Sequence, residues 1–195
     1  MHLSHINISN FLTLVRLVCA PIIIPSLIVY LSAQNYLCTN ICIGLLFVVF
    51  GSTDFFDGYF ARKYKQETLL GRLLDPIADK FFMFSTFVAL VAVHKIFFYW
   101  GIIFIGREFF VMGLREVALT YNFAVPVMYV GKIKTFAQMA YVTCVIVNPY
   151  QGSFWSAPIV NGIEAVLLLI ALFYTVYSAV TYYCLFMKQY YSSVR

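Results

Sequence analysis

Residues 54–79 read DFFDGYFARKYKQETLLGRLLDPIAD and hold all four aspartates of this 195-residue chain, which has eight acidic residues in total. The four are Asp54, Asp57, Asp75 and Asp79. The chain around them is strongly apolar, with 63% hydrophobic and only 11% charged residues, where roughly a quarter is usual for charged residues. A carboxylate is costly to bury in apolar surroundings unless a positive charge compensates it. Four carboxylates that converge therefore favour bound divalent cations.

Long apolar runs recur on both sides of this stretch and predict a membrane protein. A helix that spans a bilayer needs about 20 mostly apolar residues. The predicted spans are residues 10–32, 37–62, 73–94, 97–121, 133–149 and 157–187. Polar or turn-forming residues separate them, as at residues 32–35 and 148–153. The sequence thus predicts an all-α integral membrane protein with six transmembrane helices in a single domain, residues 1–195.

The distribution of lysine and arginine predicts how the helices are oriented, because cytoplasmic loops carry an excess of both. Basic residues lie in the second loop, at the end of the fourth loop and in the C-terminal tail: Arg62, Lys63, Lys65, Arg72, Lys132, Lys134, Lys188 and Arg195. The alternate loops have only Lys95. Both termini are therefore expected in the cytoplasm. The sequence has no basic run with interleaved aromatic residues of the kind that binds nucleic acid, so nucleic acid is not expected as a partner.

Helical spacing predicts that the four aspartates face each other from two helices. Asp54 and Asp57 are i, i+3 near the end of the second span, and Asp75 and Asp79 are i, i+4 at the start of the third. A short charged linker makes these helices antiparallel neighbours, so both pairs lie just inside the cytoplasmic surface. Oxygen-only ligands select Mg²⁺ or Mn²⁺ rather than zinc. Two such cations are the usual clamp for displacement at phosphorus.

The same stretch resembles the signature of the CDP-alcohol phosphatidyltransferases, D-x2-D-G-x2-A-R-x8-G-x3-D-x3-D, at every fixed position and gap. That family consists of six-helix membrane enzymes that move a phosphatidyl group from a CDP-linked lipid to an alcohol and release CMP. The resemblance implies that Asp54, Asp57 and Asp75 hold two divalent cations, and that Asp79 is the general base and a further ligand. It also implies contacts to the CDP portion from Gly58, Ala61, Arg62 and Gly71. For the three small residues, close helix packing is the alternative.

A second set of charged residues lies on the later spans. Its members are Arg107, Arg115, Lys132 and Lys134. Arginine inside a membrane is expensive and by default functional, and Arg and Lys together can hold a phosphate. The set therefore predicts an acceptor alcohol that carries its own phosphate. The alternatives are ion pairs of the arginines with Glu108, Glu116 or the aspartate site, and ordinary positive-inside charge for the lysines.

Three segments narrow the resemblance to a bacterial branch of the family that uses sn-glycerol 3-phosphate as the acceptor. They are Asn10-x2-Thr13-x2-Arg16 with Pro21, Gly106-Arg107-Glu108 with Leu114-Arg115-Glu116, and Gly131-Lys132-Ile133-Lys134-Thr135-x2-Gln138. This branch implies that Asn10, Thr13 and Arg16 help to seat CDP-diacylglycerol and that the four basic residues bind the acceptor phosphate. It further implies a homodimer in the lipid of the bacterial cytoplasmic (inner) membrane, with the active site facing the cytoplasm.

Two alternatives stay open at this point. The acceptor can be another alcohol, such as inositol phosphate, serine or phosphatidylglycerol; inositol phosphate would also need the basic set, which therefore does not exclude it. A divalent-cation transporter is compatible with aspartate pairs on two helices, although its site is expected near the membrane midplane with broken helices. The many phenylalanines and tyrosines of the third to sixth helices are attributed to lipid contact and packing only.

Overall fold

The computed structural model consists of six α-helices in the part of the chain that it describes. It describes residues 8–31, 36–63, 69–121, 123, 125–126, 128–149 and 158–193, without the side chains of residues 8–17, 53–76 and 192–193. The helices are α1 (Ile8–Leu31), α2 (Leu37–Lys63), α3 (Leu69–Ala92), α4 (Phe98–Thr120), α5 (Tyr129–Val147) and α6 (Pro158–Ser193). Each predicted span corresponds to one helix, and the described residues include no strand. The all-α prediction is therefore confirmed.

Two helices are long and apolar enough to cross a membrane, Tyr129–Val147 and Pro158–Tyr191, within the residues described. The outer side of α6 is apolar along most of its length, with exposed side chains at helical spacing: Ile159, Ile163, Val166, Ile170, Phe173, Tyr177 and Val180. Soluble monomers rarely expose a contiguous apolar surface of this kind, so the face is typical of lipid contact. The number of six spans and their orientation stay predictions.

The described residues group into two compact units. One lies within residues 1–96 and 143–151, and the other within residues 97–142 and 152–195. The first unit contains α1, α2 and α3, the second contains α4 and α6, and α5 contributes residues to both. That residues 1–195 act as one domain stays a prediction.

The core of the first unit is built around α1, which packs along α3 and also contacts α2. α1 buries Ala20, Ile24 and Ile28, four residues apart, and so turns one stripe inward. Phe47 of α2 stacks on Phe82 of α3 with ring centroids 5.2 Å apart. These two rings are buried, so α2 and α3 share the core at this level.

A tight turn ends α3 and accounts for Lys95, the basic residue of the alternate loops. His94 has a φ of 57°, the left-handed conformation that commonly closes a helix, and the Lys95 amide donates to the Leu90 carbonyl at 2.8 Å. The Lys95 ammonium donates to the carbonyl oxygens of Ile146 and Asn148, at 3.3 Å each. Lys95 thus satisfies carbonyls at the end of α5, where a cation is favoured.

Gly44 of α2 lies where a side chain does not fit. A Cβ at this position would approach Cγ2 of Val147 to 2.7 Å, and a valine side chain has little freedom to move away. Overpacking costs about 1–3 kcal/mol, against about 1 kcal/mol gained from helix propensity. We expect Gly44→Ala to lower the thermal unfolding midpoint in detergent by about 2–4 °C.

Gly113→Ala is the matched control, because a Cβ at Gly113 meets nothing within 4 Å among the described residues. It removes a glycine from the interior of α4 in the same way, so its midpoint should stay level or rise. A Gly44→Ala midpoint equal to that of Gly113→Ala would contradict the close packing.

Candidate active site

The stack of Phe47 on Phe82 sets the relative level of the two helices that carry the aspartates. Only residues 64–68 connect α2 to α3, and so short a connection makes contacting helices antiparallel. Asp54 lies seven residues after Phe47, and Asp75 lies seven residues before Phe82. At about 1.5 Å per residue, each is about 10 Å from the ring stack in the same direction. The backbones of Asp54 and Asp75 are therefore level with each other, and the second member of each pair lies about one turn away along its helix.

Asp79 is the member of the quartet whose side chain lies in the described part. It is half-buried and follows the register of Met83, Thr86 and Leu90, which are all buried farther along α3. Because this stripe is the packed side of α3, Asp79 lies toward the interior of the first unit. The predicted general base is thus partly shielded from solvent.

The other predicted metal and CDP-lipid residues lie on described helix backbone, and their side chains are outside the described part. They are Asn10, Thr13 and Arg16 on α1, Asp54, Asp57, Gly58, Ala61 and Arg62 on α2, and Gly71 and Asp75 on α3. Among the side chains that are described, no group of three or more His, Cys, Asp or Glu could hold a metal ion. The donor set itself fits hard divalent cations, since it offers four carboxylates within about two turns along two contacting helices.

In the second unit, Arg107 of α4 is nearly buried, with 8% of its side chain exposed. Its Nε donates to Ser178 Oγ at 3.1 Å, and its Nη1 donates to Glu108 Oε1 at 3.0 Å. Its Nη2 is buried without a partner among the described residues. The ion pair with Glu108, one of the alternatives from the sequence, is therefore present, but it does not use the whole guanidinium.

Arg115 lies two turns farther along α4 and contacts Tyr182 of α6. Its Nη2 donates to Tyr182 Oη at 2.9 Å, and its guanidinium carbon is 5.2 Å from the ring centroid. The guanidinium carbon of Arg107 is 5.5 Å from the same centroid. Arg115 Nε is buried and unpartnered within the described part of the chain. Glu116 is exposed, so the sequence alternative of an ion pair gains no support here.

The two lysines of the predicted set differ in their placement. Lys134 is buried, with 5% of its side chain exposed, and forms an ion pair with Glu108. Lys132 is exposed, because residues two apart lie on different faces of a helix. We name Arg107, Arg115, Lys134 and Glu108 the basic cluster. Three positive side chains and one negative give it a formal charge of +2.

α6 supplies buried polar partners that the sequence interpretation missed. Thr175, Ser178 and Tyr182 recur at helical spacing and are all buried, and Gln138 Nε2 donates to Thr175 Oγ1 at 3.1 Å. The attribution of the later tyrosines to lipid contact and packing only is wrong for Tyr182, whose hydroxyl accepts two hydrogen bonds. The signal that could have found these residues is a polar stripe at helical period within an apolar helix.

Comparison with known proteins identifies the family of the chain. Residues 6–177 match the family model described as CDP-alcohol phosphatidyltransferase. The chain belongs to the CDP-alcohol phosphatidyltransferase family. The resemblance drawn from residues 54–79 is confirmed, and so is the prediction that the chain is an enzyme.

Relatives within the CDP-alcohol phosphatidyltransferase family align over nearly the whole chain. A Rickettsia typhi protein is 36% identical over 177 residues, covering 91% of this chain and 95% of the relative. A Rickettsia felis protein is 34% identical over 177 residues, with 91% and 93% covered. A Bacillus subtilis protein is 30% identical over 184 residues, with 91% and 93% covered. All three are named CDP-diacylglycerol–glycerol-3-phosphate 3-phosphatidyltransferase.

Proposed function

We propose that this enzyme transfers the phosphatidyl group of CDP-diacylglycerol to sn-glycerol 3-phosphate, giving phosphatidylglycerophosphate and CMP. The observation that carries the proposal is the complete aspartate signature of residues 54–79 on two contacting helices. The names of the relatives support the choice of both substrates. The reaction is a step in glycerophospholipid synthesis.

The first unit handles the CDP-lipid in this proposal. Asp54, Asp57, Asp75 and Asp79 hold two divalent cations, Mg²⁺ or Mn²⁺. When bound, such cations neutralise the diphosphate and stabilise the departing CMP. Asp79 accepts the proton of the attacking hydroxyl as the new oxygen–phosphorus bond forms. CDP-diacylglycerol is seated by Asn10, Thr13, Arg16, Gly58, Ala61, Arg62 and Gly71.

The basic cluster binds the phosphate of the acceptor alcohol. Its formal charge of +2 matches a phosphate monoester, which carries about −1.5 to −2 at pH 7. Arg107 Nη2 and Arg115 Nε are buried donors with no partner among the described residues, so they are available to a phosphate oxygen. Lys132, which is exposed, attracts the anionic substrate from solution.

The substrates also favour a definite placement in the membrane. Acyl chains belong in lipid and a nucleotide belongs in water, so we place the aspartates at the cytoplasmic surface of the bacterial inner membrane. Six spanning helices with both termini in the cytoplasm give this arrangement, in one domain of residues 1–195 that forms a homodimer. The apolar outer face of α6 supports lipid contact. The capping role of Lys95 accounts for its place in a loop expected to lie outside.

A panel of acceptors with the purified enzyme tests the reaction. We expect CMP release from CDP-diacylglycerol with sn-glycerol 3-phosphate to exceed release with serine by at least about 100-fold, because a polar site discriminates strongly against an analogue that leaves it unpaired. Inositol phosphate and phosphatidylglycerol complete the panel, and EDTA should abolish release. Release with one of the other alcohols but not with glycerol 3-phosphate would overturn the choice of acceptor. Metal uptake into vesicles without CMP release would favour a transporter.

A further inference from the structure

Tyr182 lies at the centre of the basic cluster and is not part of any motif in the sequence. It is 3% exposed, and both guanidinium carbons lie within 5.5 Å of its ring centroid. Its hydroxyl meets two donors, Nη2 of Arg115 at 2.9 Å and the backbone N–H of Met128 at 3.0 Å. Since a guanidinium group and a backbone N–H can only donate, the Tyr182 oxygen accepts both hydrogen bonds.

The two accepted bonds leave the phenolic hydrogen of Tyr182 without an acceptor in the part of the chain that the structure describes. A tyrosine hydroxyl has two lone pairs and one hydrogen, and both lone pairs are occupied here. No acceptor for the hydrogen occurs among the described residues. A buried donor that stays unpaired is destabilising, so the arrangement favours a ligand that accepts this hydrogen.

The two arginines that contact Tyr182 also have buried donors without partners among the described residues. Nη2 of Arg107 and Nε of Arg115 are buried donors without partners in the described part of the chain. Three unpaired donors in a cluster of formal charge +2 call for a ligand that has several acceptor oxygens and negative charge. A phosphate group meets both requirements, because it offers three terminal oxygens and carries nearly two negative charges.

We infer that Tyr182 is a further specificity-determining residue, which donates its phenolic hydrogen to the phosphate of the acceptor alcohol. This inference rests on the proposed function and extends it. The ring contacts both guanidinium groups, while the hydroxyl orients Arg115 and contributes a neutral donor. An alcohol without a phosphate leaves all three donors unpaired and is rejected at this site.

Tyr182→Phe tests the inference because it keeps the ring and removes only the hydroxyl. We expect the KM for glycerol 3-phosphate to rise about 10- to 100-fold, as for loss of a hydrogen bond to a charged group. The inhibition constant of inorganic phosphate against glycerol 3-phosphate should rise by a similar factor, while the KM for CDP-diacylglycerol stays within about twofold. An inorganic-phosphate constant that stays unchanged would overturn the direct contact with phosphate.

Tyr183→Phe is the matched control, since Tyr183 is the next residue of α6, is 46% exposed and contacts Phe110 instead of the arginines. Its kinetic constants should equal those of the wild type. A Tyr182→Phe enzyme with the glycerol 3-phosphate KM of the Tyr183→Phe enzyme would overturn the inference.

Arg115→Ala in the same assay separates this inference from the proposed function. If Arg115→Ala raises the glycerol 3-phosphate KM and Tyr182→Phe does not, the role of Tyr182 is contradicted and the proposed acceptor site is retained. If neither variant changes that KM, the acceptor site of the proposed function is itself contradicted. In the double variant, a further loss beyond Arg115→Ala supports direct donation. No further loss would mean that Tyr182 acts only through Arg115.

O-Methyltyrosine at position 182 keeps the inference testable if Tyr182→Phe does not fold. Its ether oxygen can still accept from Arg115 and Met128 but has no hydrogen to donate. We expect the inhibition constant of inorganic phosphate to rise about 10- to 100-fold in this enzyme. An inorganic-phosphate constant equal to that of the wild type would overturn the donor role.

Discussion

Asp79→Asn is expected to abolish turnover while CDP-diacylglycerol still binds. The substitution preserves the size of the side chain and removes both its charge and its ability to accept a proton. General-base catalysis contributes about 10²- to 10⁴-fold, so kcat should fall by at least about 100-fold. Asp79 is half-buried on the packed side of α3. Solvent water would therefore be a poor replacement for its carboxylate as the base. Initial rates of CMP release give kcat, and calorimetric titration of the detergent-solubilised enzyme gives lipid affinity.

Glu164→Gln controls for the loss of a carboxylate as such. Glu164 lies on α6, in the other compact unit, and has no role in the proposed reaction, so its kcat should stay near that of the wild type. A near-normal kcat for Asp79→Asn would exclude Asp79 as the base. Loss of CDP-diacylglycerol binding together with activity would instead assign Asp79 to holding the lipid diphosphate.

The level of Asp54 and Asp75 could be predicted from the sequence because it depends on local periodicity. Asp54 and Asp57 share one helix, Asp75 and Asp79 share the next, and the five residues between α2 and α3 leave only an antiparallel arrangement. Phe47 and Phe82, equally distant from Asp54 and Asp75 in opposite directions along the chain, stack as that arrangement requires. No long-range information was needed.

The partners that α6 supplies to the arginines could not be predicted in the same way. Arg115 and Tyr182 are 67 residues apart in sequence, and their contact depends on how α4 packs against α6, which periodicity does not specify. The chain has 15 tyrosines, and most are explained by apolar packing or lipid contact. Lys132 and Lys134 also looked equivalent in sequence, but only Lys134 lies on the buried side of α5.

Arg115→Ala is expected to raise the KM for glycerol 3-phosphate by at least about 30-fold. Removing one member of a buried charged pair costs about 2–5 kcal/mol, and each 1.4 kcal/mol is about tenfold in affinity. The KM for CDP-diacylglycerol should stay within about twofold, because the lipid is assigned to residues of the other unit. Steady-state kinetics with each substrate varied in turn measure both constants.

Lys188→Ala is the control for loss of a cation, since Lys188 is exposed near the end of α6 and lies outside the basic cluster. A small rise in the glycerol 3-phosphate KM for Lys188→Ala and a large rise for Arg115→Ala would indicate direct phosphate binding by Arg115. Long-range attraction would instead depend on net charge and weaken with salt. An Arg115→Ala effect confined to the KM for CDP-diacylglycerol would move the acceptor phosphate away from Arg115. The acceptor site would then have to be sought among the remaining basic residues, because a phosphate monoester in an apolar protein still needs compensating charge.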